Sequence, residues 1–176
     1  PLNKIRGQIT QLPCTEESRK MKMVICGECY ITPAENGLHG CGATYNKDLF
    51  TTELRDIDHQ TNLEQIAATD EGLAAVLGDP PKESLTGRAN FRCTTSDYLP
   101  IAGPVPDRAA MLEDYAILRK DAKTPMTIPG AYLPNLYVNC GMGSRGLSYA
   151  PLTAELLAAE IAGDDQELDK ELREAM

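Results

Sequence analysis

The stretch "NCGMGSRGLSYAP", residues 139–151, sets Gly141, Gly143 and Gly146 in the spacing G-x-G-x-x-G. That spacing marks a dinucleotide-binding turn when a strand precedes it, a helix follows it, and a second strand carries an acidic residue about 20 positions on. Here "NLYVNC" reads as the incoming strand and "LTAELLAAEIAG" as the helix. The thirteen residues after Gly163 include six acids and offer no apolar segment for a second strand. With no second strand to follow, the residues alone read as a tight turn without a ligand rather than as the opening of a nucleotide fold. With Pro1 standing directly before strand-like sequence, the 176 residues read as a piece of a longer polypeptide.

A chain of 176 residues with 42% apolar content is long enough for one hydrophobic core. No apolar run approaches the roughly 20 residues that span a bilayer, and no charged-then-apolar leader precedes "PLNKIRGQ", so the expectation is a cytoplasmic protein with no membrane contact. The net charge is −9, of which the segment after Gly163 contributes −4. The remainder is still acidic, which makes this segment alone a poor grip for nucleic acid, where Lys and Arg on phosphates supply much of the affinity. Residues 164–176 read as an acidic tail, a solvated and frayed helix.

Six cysteines invite a zinc or disulfide reading. Cys26 and Cys29 form one C-x-x-C, but no second pair and no H-x-x-x-H is present, and His39 and His59 stand alone. A redox C-x-x-C opens a helix, whereas "MVICGECYITP" reads as extended. Reduced, partly buried thiols without metal are expected.

Extended sequence dominates the first half. "KIRGQITQL" alternates, "KMVICG" and "CYITP" are strand-like, and "AENG" gives an N-G turn before "LHGCGATY". This predicts an antiparallel meander. Leu63, Ile66, Ala67, Leu73, Val76 and Leu77 fall near helical spacing, with Gly72 as an interruption and Gly78-Asp79-Pro80-Pro81 as the stop. "SLTGRANFRCTT" returns to strand, "DYLPIAGPVPD" reads as a Pro/Gly-rich loop, and "RAAMLEDYAILRK" as a helix or long loop. A strand over 135–140, the glycine turn and a helix over 152–162 complete the chain. The fold class is α+β, a mostly antiparallel sheet crossed by helices plus a C-terminal strand–turn–helix.

The pieces "IRGQ", "YITPAENGLHGCGATY", "RANFRCTTSDYLPIAGPVPD" and "LPNLYVNCGMGSRGLSYAPLTAELLAAEI" resemble, in order and spacing, the later part of the D-amino-acid-oxidase-like flavoenzymes. Within that superfamily, "FRCTTSDYLPIAG" and "GSRGLSYAPLTAELLA" most resemble the C-terminal FAD-dependent oxidoreductase domain of the bifunctional enzymes that make 5-methylaminomethyl-2-thiouridine at the tRNA wobble position. The resemblance covers most of residues 1–163 and is weakest over 104–130. It implies a substrate-binding sheet domain over 1–103, a connecting segment over 104–134, and a C-terminal return of the FAD-binding domain over 135–163. It also implies FAD as cofactor, tRNA as substrate, and an FAD-binding N-terminal half and a methyltransferase domain elsewhere in the polypeptide. The nucleotide-binding βαβ unit of that pattern is missing here, so this piece alone is expected neither to retain FAD nor to be active.

The resemblance places substrate contacts at Arg92, Tyr30 and Arg145. Arg92 matches the arginine that grips a substrate carboxylate, where the planar fork gives a bidentate contact that lysine cannot copy; a structural ion pair, for example with Asp97, is the other reading. Tyr30 resembles a cavity-lining aromatic, and a core tyrosine with a bonded hydroxyl is its alternative. Tyr45 is a weaker candidate of the same kind. Arg145 matches a position near flavin and substrate, against a turn-stabilising or surface role. Gly141, Gly143, Ser144, Arg145, Gly146 and Leu147 resemble the segment that brings backbone N–H groups and a helix N-terminus to the flavin. Asp97 reads as a turn-former, and Arg6 as structural or near the flavin. No nucleophile–base pair stands out, and hydride transfer to a flavin needs none. The implied reaction removes the carboxymethyl group from a carboxymethylaminomethyl-uridine. A glycine- or sarcosine-type amino-acid oxidase, and a non-catalytic substrate-binding domain, remain alternatives.

Overall fold

The computed structural model describes residues 2–164. They form two compact units, one made of Asn3–Arg92 and the other of the described residues outside that span.

The first unit is built on β1 (Asn3–Pro13), whose burial alternates as a half-covered strand must. Arg6, Gln8, Thr10 and Leu12 are buried; Gly7, Ile9, Gln11 and Pro13 are half-buried. On one side β1 pairs antiparallel with β4 (Leu38–Gly42), Ile9 facing Gly42 and Leu12 facing His39. β4 pairs with the two-residue β3 (Tyr30–Ile31), and β3 with β2 (Ile25–Cys26). On its other side β1 carries β5 (Thr86–Thr94), giving the order β2-β3-β4-β1-β5. The meander is present, with β2 and β3 shorter than the sequence suggests. The N-G turn also forms. Asn36 and Gly37 both have positive φ, 51° and 81°, and Glu35 and Leu38 exchange both backbone hydrogen bonds, the arrangement of a two-residue hairpin.

Two helices follow, α1 (Asp56–Thr69) and α2 (Glu71–Leu77). The expected interruption at Gly72 lies two residues earlier, at Asp70. Its backbone is extended, and its carboxylate accepts the Leu73 N–H at 2.6 Å, so it ends one helix and caps the next. Gly72 is simply inside the second helix. α1 buries Asp58, His59, Asn62 and Ile66, one stripe at helical spacing, against β1. The apolar core of the unit is Leu12, Cys29, Ile31, Cys41, Ile66 and Leu77.

In the other unit β6 (Ile101–Pro106) pairs antiparallel with β7 (Tyr132–Cys140). The "IAGPVP" half of the expected loop is thus a strand. Pro104 and Pro106 are tolerated because a two-stranded ladder leaves each strand an open edge, where a missing N–H is harmless. Between them run α3 (Arg108–Asp114), capped by the Asp107 carboxylate on the Ala109 and Ala110 N–H groups at 3.0 and 3.2 Å, and a short 3-10 turn over 116–119. α4 (Gly146–Ala162) begins six residues before the expected 152, carries Pro151 within it, and ends at Gly163 in the left-handed region, φ 76°. The architecture is mixed α+β, as expected; residues 165–176 of the acidic tail lie outside the described residues. No helix among the described residues is long and apolar enough to cross a membrane.

Candidate functional site

The two faces of the first unit's sheet differ. Opposite residues in an antiparallel ladder point the same way. Thr10, Cys41 and Ile31 therefore share the face under α1, where each is almost fully buried. Ile9, Gly42 and Tyr30 share the other, open face.

Arg92 lies on that open face. Its guanidinium is seated over Gly7, where a Cβ would overlap it. Nη1 donates to the Thr44 carbonyl at 3.2 Å, and the guanidinium carbon stands 5.6 Å from the centre of the Tyr45 ring. None of the ion pairs among the described residues includes Arg92. The guanidinium is thus positioned by a carbonyl, a ring and a glycine floor, with its remaining donors uncommitted. Tyr30 is half-buried on the same face. Burial raises the pKa of its phenol, and the nearby charges of Arg92 and Arg88 act against that rise. The structure therefore groups Tyr30, Tyr45 and Arg92. Arg88, two turns of the pleat before Arg92 on β5, joins them; the period-2 rule applied to "GRANFRC" would have found it. Arg88, Asn90 and Arg92 border a cavity of about 120 Å³ with Gly7, Ile9 and Ala43.

The other face accounts for Arg6. It is fully buried, donates to the Asp58 carboxylate at 2.8 Å and to the Thr51 and Glu53 carbonyls at 2.8 and 2.6 Å, and so is a structural residue of this unit.

The remaining sequence-derived candidates belong to the second unit. Gly141 and Gly143 adopt positive φ, 77° and 56°, so both turn positions favour glycine. The turn is tied to the end of β5, the Gly143 N–H donating to the Cys93 carbonyl at 2.8 Å. Ser144 and Arg145 are exposed, and Arg145 Nη1 meets the Tyr149 hydroxyl at 3.5 Å. α4 starts at Gly146 with no side chain capping its N-terminus and no acid in its first turn, and Leu147 is 97% exposed. An uncapped helix start, delivered by glycines that leave the backbone uncovered, is a donor set suited to an electron-rich ring or an anion. Asp97 is a turn-former: its carboxylate accepts the Leu99 N–H at 3.1 Å, which with the Thr95 hydroxyl holds its pKa below the usual value. All six cysteines are free thiols, and burial, reinforced by Cys29, pushes Cys41 up to about 12. Among the described residues no cluster of three His, Cys, Asp or Glu side chains is placed to hold a metal.

The first unit thus carries a sheet with one open, arginine-bearing face, and the second a glycine turn at the start of a helix. The chain belongs to the FAD dependent oxidoreductase (DAO) family, whose sequence pattern matches residues 1–160. It is 45% identical over 180 residues to the tRNA 5-methylaminomethyl-2-thiouridine biosynthesis bifunctional protein MnmC of Pseudomonas aeruginosa (strain UCBPP-PA14), covering 99% of this chain and 27% of that protein. It is likewise 45% identical over 179 residues to the protein of the same name from Pseudomonas putida (strain W619), with the same coverage. The chain therefore spans about a quarter of the length of these relatives. Among solved structures, iminodiacetate oxidase from Chelativorans sp. BNC1 superimposes with a TM-score of 0.65 at 20% identity, over 96% of this chain and 38% of that one. Glycine oxidase from Geobacillus kaustophilus gives 0.64 at 17% identity, over 96% and 37%. These two share the fold.

Proposed function

We propose that this chain supplies the substrate-binding sheet and the C-terminal return of the flavin domain in an FAD-dependent amine oxidoreductase of tRNA modification. The reaction takes the carboxymethylaminomethyl group of a wobble uridine. A hydride leaves the carboxymethyl carbon, the C–N bond becomes an imine, and water then releases glyoxylate and leaves aminomethyl-uridine. When bound, FAD supplies the hydride acceptor.

The carrying observation is the Arg92 guanidinium, held on an open face by the Thr44 carbonyl and in no ion pair among the described residues. A glycine-like carboxylate is the partner it lacks, and a two-point fork fixes that group in orientation as well as position. Tyr30 walls the same face. Gly146 and Leu147 fit a flavin through backbone N–H groups left uncapped at the start of α4, and Gly141, Gly143, Ser144 and Arg145 form the turn that would deliver them, the Gly143 and Arg145 N–H groups being held by the Cys93 and Met142 carbonyls. The 135–163 segment is the flavin-side return, 1–103 the substrate side and 104–134 the connection, in a cytoplasmic enzyme whose polypeptide also carries a methyltransferase domain.

Arg92→Lys, in the polypeptide that carries this chain, tests the assignment. It keeps the charge and loses the fork. A misplacement of about 1 Å costs about 100-fold in rate, so kcat/KM on tRNA bearing the carboxymethylaminomethyl group should fall by about that factor while the thermal midpoint holds. Activity within about threefold of wild type, or loss only in step with unfolding, removes Arg92 from the site. A preference for free glycine over the tRNA would select the amino-acid oxidase instead. The described residues contain no strand–glycine turn–helix–strand unit for a pyrophosphate, so the 176-residue chain alone should purify colourless and inactive. A stoichiometric flavin absorbance band after desalting would overturn that expectation.

A further inference from the structure

Arg92 is not the only uncommitted arginine on β5. Ala89 is buried on the α1 side, while Arg88 and Asn90 are exposed and Arg92 half-buried, so residues 88, 90 and 92 share the open face. Arg88 makes no ion pair or hydrogen bond among the described residues. Asn90 Oδ1 accepts the Phe91 N–H at 2.8 Å, which leaves the Nδ2 hydrogens as donors. Apart from the Arg92 bond to the Thr44 carbonyl, the three side chains form a ledge of donors without a side-chain acceptor among the described residues, bordering the cavity of about 120 Å³ lined also by Gly7, Ile9 and Ala43. In a chain of net charge −9 carboxylates are plentiful, and neither of the two neighbouring guanidiniums is paired with one among the described residues.

We propose that Arg88, with the Asn90 amide, forms a phosphate subsite beside the Arg92 carboxylate clamp, and that it selects a nucleotide-borne substrate over a free amino acid. This rests on the function proposed above. The Cα atoms of residues 88 and 92 are about 13 Å apart at the rise of a strand, a separation that two long side chains shorten to the span of one nucleotide. A phosphate offers only acceptor oxygens, and the guanidinium fork matches them two at a time. A free glycine has one carboxylate, which Arg92 satisfies, and leaves Arg88 without a partner.

The first test needs no turnover. In ¹⁵N–¹H spectra of the arginine side chains of this chain, uridine 5′-monophosphate should move the Arg88 Nε–H signal saturably, and uridine should not. Arg88→Gln should weaken that binding by about tenfold or more. Added salt should weaken it as well. Equal responses to nucleotide and nucleoside, or unchanged binding in Arg88→Gln, overturn the subsite whatever the enzyme's substrate proves to be. The second test uses the polypeptide that carries the chain. Arg88→Gln should raise KM for the modified tRNA by about tenfold, much more than it changes KM for the phosphate-free modified nucleoside. An equal loss on both substrates overturns the subsite, whereas wild-type inactivity on both, with Arg88 still binding the monophosphate, overturns the substrate reading alone.

Discussion

Arg6 and Arg92 stand on neighbouring strands of one sheet and live under opposite rules. Arg6 faces α1 and is wholly enclosed, with Asp58 at 2.8 Å, Gln8 Oε1 at 2.9 Å and two backbone carbonyls consuming its donors. Arg92 faces away, holds one carbonyl at 3.2 Å, and keeps the rest of its fork free. A buried charge must be matched from within the chain, because burial without a partner is prohibitive. A charge on an open face can wait for a partner from outside. The same residue type thus builds the protein on one side of the sheet and, among the described residues, keeps most of its donors free on the other.

Removing the partner of the enclosed arginine should have the largest effect. Asp58→Ala strands the buried Arg6 guanidinium and also deprives Asn46 Nδ2 of its 3.2 Å acceptor. A loss of about 3–5 kcal/mol is expected by urea unfolding. A loss below about 1 kcal/mol would mean the two arginines do not differ as described. Gly7→Ala should do the reverse. The new Cβ would overlap the Arg92 guanidinium, the far end of a flexible side chain, so stability should change by less than about 1 kcal/mol. Activity should fall by about 100-fold as the fork moves by about 1 Å; unaltered kcat/KM would show that the seat over Gly7 is irrelevant.

The smallest effect is a pH dependence on the enclosed side. His59 Nδ1 lies 2.8 Å from Thr10 Oγ1, and burial lowers its pKa below the ordinary histidine value, with Asp56 and Asp58 opposing that shift. The unfolded chain then binds the proton more readily than the folded one, so this stability is present above the ordinary value of about 6.5 and is lost as the pH falls below it. His59→Gln should flatten the stability difference between about pH 7.5 and 5.5 relative to wild type. Superimposable wild-type and variant slopes would contradict the shift.

Local rules made much of this legible. The alternation of "KIRGQITQL" yields β1 and both its faces, and Asn36-Gly37 yields the hairpin, because each depends on a few adjacent residues. The division between α1 and α2 falls at Asp70 and not at Gly72, since a shared cap outweighs a weak helix former. "IAGPVP" reads as loop yet forms β6, because proline content says nothing about how many neighbours a strand has. The grouping of Arg92 with Tyr30 came from the family resemblance; Arg88 needed only the strand period. Arg6 stayed ambiguous for a different reason, as its partner Asp58 lies 52 residues away and no pattern in the sequence connects them.

That distance has a kinetic meaning. The segment between Asn46 and Asp56 forms no helix or strand, and three of its carbonyls, those of Thr51, Glu53 and Arg55, are held by Arg6 and Gln8 from 45 to 47 residues away. Within the segment the Glu53 N–H donates to Thr51 Oγ1 at 3.2 Å, and most of its order comes from elsewhere in the unit. The segment settles once it reaches β1, because the donors that fix its path, Arg6 and Gln8, lie on that strand 45 to 47 residues away. In a refolding time course its amides should be among the last of this unit to gain protection, arriving with the closure of the Arg6–Asp58 pair rather than with the early hairpin at Asn36-Gly37.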